Sequence, residues 1–217
     1  IPSAPSACAK ASMSRTADMN EVFELFYRFG ARDFPDIGHK AIFVANSQRT
    51  LEAIGWQHAE PILRSLADAL QHHERGNPFK GDAAADQPWK RNRELATKLR
   101  ADWTMGRVDS AATTEFLAVL RESSDTDACA KAVEIINRGV SPQSIWDALF
   151  VGAGELLMRQ PGIVALHAMT SSNALRYACK ATASDDTRRM LFLQNVAFLP
   201  LFRSAMTSRG KVGTSRL

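Results

Sequence analysis

Apolar residues in this chain recur three and four positions apart along almost its whole length, and no segment alternates with period two. Ile62, Leu63, Leu66, Ala69 and Leu70 form one such stripe, and Ile145, Trp146, Leu149, Phe150, Leu156 and Leu157 form another. A helix-period pattern buries one face of a helix and cannot serve a strand. Valine and isoleucine, which would mark strands, are scattered inside the helical patterns. The pattern predicts an all-α fold, a single compact multi-helix domain of about eight or nine helices.

Boundary signals divide the chain further. Residues 1–15 read as a flexible N-terminal segment, 16–205 as the helical domain and 206–217 as a basic flexible tail. A first helix is expected over Ala17–Ala31, with Val22, Phe23, Phe26, Tyr27 and Phe29 giving it an aromatic face. Asp33-Phe34-Pro35-Asp36 breaks it, and Asp36 is the expected N-cap of a second helix over Gly38–Ile54. Gly55 ends that helix, and a third runs to His73. Residues 74–87, rich in Gly, Asp and Lys, read as an exposed loop. A charged, solvent-facing helix follows over Pro88–Trp103. Further helices are expected over Ser110–Glu122 (capped by Asp109 or Ser110), Asp125–Asn137 and Pro142–Arg159. In the last of these, Ser141-Pro142 is a strong start signal. Pro161-Gly162 separates it from a helix ending near Ala181, and Ser184 or Asp185 caps the final helix to about Ser204.

Charge and cysteine usage exclude several classes. The 217 residues carry a net charge of +4. Arg203, Arg209, Lys211 and Arg216 near the C-terminus account for it, and without them basic and acidic residues balance. A neutral body lacks the footprint of a dedicated nucleic-acid domain. Cys8, Cys129 and Cys179 have no CxxC spacing, which excludes a disulfide framework and a zinc ribbon. Cys129 and Cys179 read as small core residues, with a bridge between them as the alternative. No stretch approaches the ~20 apolar residues of a membrane span. Met190–Phe202 is too short and reads as a buried core helix. The opening Ile1-Pro2-Ser3-Ala4-Pro5 is that of a mature chain after leader cleavage, implying export, or of a linker.

Phosphate-binding glycine loops, HExxH and GxSxG are absent. Chemistry must therefore come from polar residues inside apolar stripes. His39, Phe43, Asn46, Thr50 and Ala53 share one helix face, which lines a polar cavity if it points inward and is simply the solvent side if it does not. His58, with Trp56 and Glu60, sits at a helix entrance where free amides favour an anion or a neutral imidazole. The competing reading makes Trp56 a core anchor and pairs Glu60 with Arg64. His167, Thr170 and Ala174 share a third face, in a run with Ser171, Ser172 and Asn173 that is poor in helix propensity. Gly152 and Gly154, each costing a helix about 1 kcal/mol, point to close approach by a ring or another helix. Tight packing is the commoner cause of both features.

If His39, His58 and His167 converge, they form a three-nitrogen set for a transition metal, with Glu60 or Glu155 as further ligand or base. Without a metal they serve as acid and base. Substrate contacts would come from Asn46, Thr50, Trp56, Thr170 and Asn173. The rival readings are a non-catalytic helical subunit that docks through its first and last helices, and a metal- or haem-binding protein without turnover.

Asp36-Ile37-Gly38-His39-Lys40, Ile54-Gly55-Trp56-Gln57-His58-Ala59-Glu60-Pro61 and Ala165-Leu166-His167-Ala168-Met169-Thr170 resemble segments of the questin oxidase-like helical family. The resemblance covers roughly residues 33–72 and 141–203. It implies a helical fold, oxygen insertion into aromatic rings, and a histidine-lined pocket built on His39, His58 and His167 for an aromatic or apolar small molecule.

Overall fold

A computed structural model describes residues 19–32, 34, 36–72 and 82–217. Among them are nine α-helices, no strand and one isolated bridge, between Arg107 and Val140. The helices are α1 (Met19–Gly30), α2 (His39–Ile54), α3 (Ala59–His72), α4 (Gln87–Ala96), α5 (Ser110–Glu122), α6 (Asp125–Asn137), α7 (Pro142–Arg159), α8 (Ile163–Ala181) and α9 (Asp185–Thr207). The all-α expectation holds, as one compact domain. The expected N-terminal segment, most of the 74–87 loop, Asp33 and Pro35 lie outside the described residues.

Helix α9 is the axis of the core. Every residue from Leu191 to Pro200 is buried, and α9 packs against α1, α4, α5, α6, α7 and α8. Burying Phe192, Leu193 or Phe198 stabilises the fold by about 1.5–3 kcal/mol each. Gln194 and Asn195 inside this helix each make hydrogen bonds, although Asn195 Nδ2 has no partner. Gln194 accepts from Asn92 Nδ2 at 2.9 Å and donates to the Ala31 carbonyl at 2.7 Å. Asn195 accepts from Ser172 Oγ at 3.0 Å. Each such bond offsets the desolvation of a group that apolar packing alone would leave costly. No helix among the described residues is long and apolar enough to cross a membrane.

Three N-caps, Asp109, Ser141 and Ser184, fall where the sequence places them, and Ser124 caps a fourth helix. The side chains of Asp109, Ser124, Ser141 and Ser184 accept from backbone amides in the first turns of α5, α6, α7 and α9. One boundary differs by several residues. Helix α4 stops at Ala96 rather than Trp103, because Arg189 on α9 reaches over its end. The guanidinium donates to the carbonyls of Ala96, Leu99 and Arg100, which a continuing helix would need for itself. Trp103 turns inward, is buried, and donates to Asp185 at 2.9 Å. Nor is α4 a solvent-facing helix: Pro88, Asn92 and Ala96 are buried.

The two glycines of α7 face neighbouring chain, not a bound ring. A Cβ on Gly152 would stand 2.8 Å from Leu199 Cδ2 of α9, and one on Gly154 would stand 3.4 Å from Leu217. Residues 206–217, expected as a flexible tail, are instead tied to the end of α7. Gly213 N donates to the Arg159 carbonyl at 2.9 Å, Arg159 Nε donates to the Ser215 carbonyl at 2.6 Å, and Leu217 N donates to Glu155 Oε1 at 2.9 Å. Glu155 is only 1% exposed and also accepts from Arg121 and Arg159. The two cysteines of the domain are free and buried, on α6 and α8, so no bridge joins them. Burial pushes each thiol up to about 12.

Hydrogen bonding from Arg121 holds the Glu155 carboxyl below its usual range. Its stabilisation is therefore complete above the unfolded carboxylate's titration near pH ~4.3 and drains away as the pH falls through the lower folded value. Glu155→Gln is expected to cost about 3 kcal/mol at neutral pH, and to flatten the loss of stability below pH ~4 relative to wild type. Urea denaturation at pH 7 and pH 3 measures both.

Candidate functional site

The turn between α1 and α2 carries two consecutive left-handed residues, Ile37 at φ 47° and Gly38 at φ 80°. Glycine adopts that region freely, whereas for a β-branched residue it is a strained exception. Backbone strain of this kind persists only where surrounding structure enforces it. Here the enforcement is contact with α8. A Cβ on Gly38 would lie 2.7 Å from the Cβ of Ser171, which is fully buried. The start of α2 therefore rests directly on α8. Asp36, the expected cap, does not cap with its side chain; Gly38 holds the N-cap position, and the Asp36 carbonyl accepts from His39 N at 3.0 Å.

One helical turn before Ser171 on α8 stands His167. The first residue of α2 is His39. Seating Gly38 on Ser171 brings the two imidazoles together, with Nε2 to Nε2 at 2.8 Å, ring centroids 4.4 Å apart and planes at 76°. An oxygen lies behind the other nitrogen of each ring. His167 Nδ1 lies 2.7 Å from the Ile163 carbonyl, and Asp36 Oδ2 lies 3.2 Å from His39 Nδ1. A carbonyl only accepts, so His167 carries its proton on Nδ1 and presents its Nε2 lone pair to His39 Nε2, with which it shares the hydrogen bond. Phe43 stacks on His39 with centroids 5.6 Å apart, and Ile163, a turn before His167, is 53% exposed. The pair sits at a partly open edge, the His39 side chain being 30% exposed.

The remaining predicted residues do not join it. His58 is exposed on the short 3₁₀ turn Trp56–His58, and no contact links it to the other two rings. The three-histidine convergence is thus corrected to a pair, because His58 comes nineteen residues after His39, beyond the far end of α2. Among the described residues no group of three or more His, Cys, Asp or Glu is arranged to hold a metal. Glu60 is exposed and pairs with Arg64, and Glu155 is committed to its two arginines. Trp56 is half-buried against the core.

Most of the second-helix stripe proves to be the solvent side. Asn46 and Thr50 are exposed, while Lys40, Ala41, Val44, Ala45, Gln48 and Leu51 are buried. Asn173 accepts from Arg49 Nη2 at 2.8 Å, and Thr170 is exposed and donates to the Leu166 carbonyl. The small polar run on α8 thus serves packing at Ser171, a core hydrogen bond at Ser172, and the α2–α8 seam at Asn173. Along that seam Arg49 lies over the Tyr177 ring at 4.3 Å, and Tyr177 donates to Glu52 at 2.5 Å. A separate cleft of about 820 Å³ between α1, α4 and α9 is lined by Phe29, Trp89, Met190 and several arginines, and contains no histidine.

Sequence reasoning missed Asp36 as a partner of His39. The signal was present as an i, i+3 spacing across a helix start. Gly38→Ala meets both the left-handed backbone and Ser171. It is expected to destabilise the domain by about 2–4 kcal/mol and to separate the two rings. Thermal melts of Gly38→Ala, and of the same variant with Ser171→Gly to restore space, check this; the second change is expected to recover part of the loss. No protein-family model, curated protein or solved structure matches this chain.

Proposed function

We propose that the chain is an oxygenase-like helical oxidoreductase domain whose reactive centre is the His39–His167 pair. The substrate would be an aromatic or otherwise apolar small molecule received at the open edge between α2 and α8. The observation that carries the reading is the 2.8 Å approach of two Nε2 atoms, with the Ile163 carbonyl bonded behind one ring and the Asp36 carboxylate 3.2 Å behind the other. Ring nitrogens oriented through their opposite atoms are pre-positioned for chemistry, since little reorganisation remains. The apolar surfaces of Phe43 and Ile163 beside the rings suit an apolar ligand. Oxygen chemistry and the aromatic substrate class rest on the family resemblance of the segments around His39 and His167.

The rival reading, a docking subunit, keeps only part of the surface it relied on, such as Phe29 at 45% exposure. Val22, Phe23, Phe26 and Tyr27 of α1 are buried in the domain's own core, as is most of α9.

Oxygen uptake by the purified chain, with phenolic and quinonoid substrates and a nicotinamide reductant, tests the proposal. His39→Ala and His167→Ala are each expected to lower turnover at least ~100-fold while melting as the wild type does. Full activity in either variant, or no uptake by the wild type across the panel, removes the reading.

A further inference from the structure

Two imidazoles that share a hydrogen bond head-on place their nitrogens and ring centres nearly on one line. At a nitrogen separation of 2.8 Å the centroids would then be about 5 Å apart. They are 4.4 Å apart, so the rings are canted toward a common point beside the line joining the nitrogens. A metal ion about 2.0–2.1 Å from each nitrogen, with close to 90° between the two bonds, requires nitrogens about 2.9 Å and centroids about 4.5 Å apart. A tetrahedral angle would need nitrogens about 3.3 Å apart. The observed pair matches the right-angled case.

The anchoring of the rings has the same sense. A ligating histidine commonly gives its second nitrogen's proton to a carboxylate or backbone carbonyl, which fixes the tautomer and makes the free nitrogen a better donor. The Ile163 carbonyl occupies that position behind His167, and the Asp36 carboxylate lies 3.2 Å from His39 Nδ1. We infer that His39 and His167 are two cis ligands of a divalent transition metal that prefers right-angled nitrogen coordination, Cu²⁺ or Ni²⁺ ahead of Zn²⁺. With no third His, Cys, Asp or Glu grouped there among the described residues, water or substrate completes the coordination. This inference rests on the proposed reactive centre and names what that centre holds.

Calorimetric titration of the metal-free full chain with Cu²⁺, Ni²⁺ and Zn²⁺ tests it, in a His72→Ala/His73→Ala background that removes a competing pair of neighbours. One Cu²⁺ per chain is expected, with two imidazole nitrogens in its electron paramagnetic resonance spectrum and tighter binding of Cu²⁺ and Ni²⁺ than of Zn²⁺. His39→Ala and His167→Ala should each weaken Cu²⁺ at least tenfold and leave one of those nitrogens. His167→Gln, which keeps more side-chain volume, should weaken it as much with an unchanged circular dichroism spectrum. His58→Ala should change nothing. Binding to the parent no tighter than to the His39→Ala/His167→Ala double variant, or an equal loss in His58→Ala, overturns the inference. Metal binding without oxygen uptake would defeat only the proposed reaction. Oxygen uptake that depends on both histidines without metal binding would defeat only the metal.

Discussion

The contact of Gly38 with Ser171 sets the geometry on which everything near the histidines depends. It lets the backbone at the start of α2 lie against α8 at a separation no side chain would permit. From that one close approach follow the strained φ of Ile37, the burial of Ser171, and the meeting of residues 128 apart in sequence. Small residues in facing positions are how helices approach to this degree, and their helix-propensity cost is offset by the packing gained. The poor propensity of the α8 polar run thus has a physical origin in its neighbour.

A second constraint acts at helix ends. Terminal carbonyls and amides must find partners, and this fold supplies many of them from distant side chains. Arg189 gathers the carbonyls after α4, and Arg203 donates to the carbonyls of Leu120 and Ser123 at the end of α5. Arg159 holds Ser215. Arginine suits the task because its fork offers several donors in a fixed plane. Basic residues that read as a charge excess in the sequence are partly structural: Arg203 serves a helix terminus.

The helices were legible because periodicity and caps are local: Asp109, Ser141 and Ser184 announce their roles within four residues. The end of α4 was not, since a guanidinium 93 residues away decides it. At the site, His39 and His167 stood out as polar residues in apolar surroundings, yet nothing in their spacing separated them from His58. That distinction depends on which residues the packing of α2 against α8 brings together, a tertiary fact. Asn46 and Thr50 were misplaced for a related reason. A stripe that begins at a histidine in the seam still faces solvent further along, because α2 buries another face, that of Ala41, Val44, Ala45, Gln48 and Leu51.

The buried thiols on α6 and α8 carry one more implication. Burial keeps both thiols protonated well above neutral pH, and oxidants attack thiolates. Peroxide or a redox-active ion at the domain's edge would find neither cysteine in its reactive form.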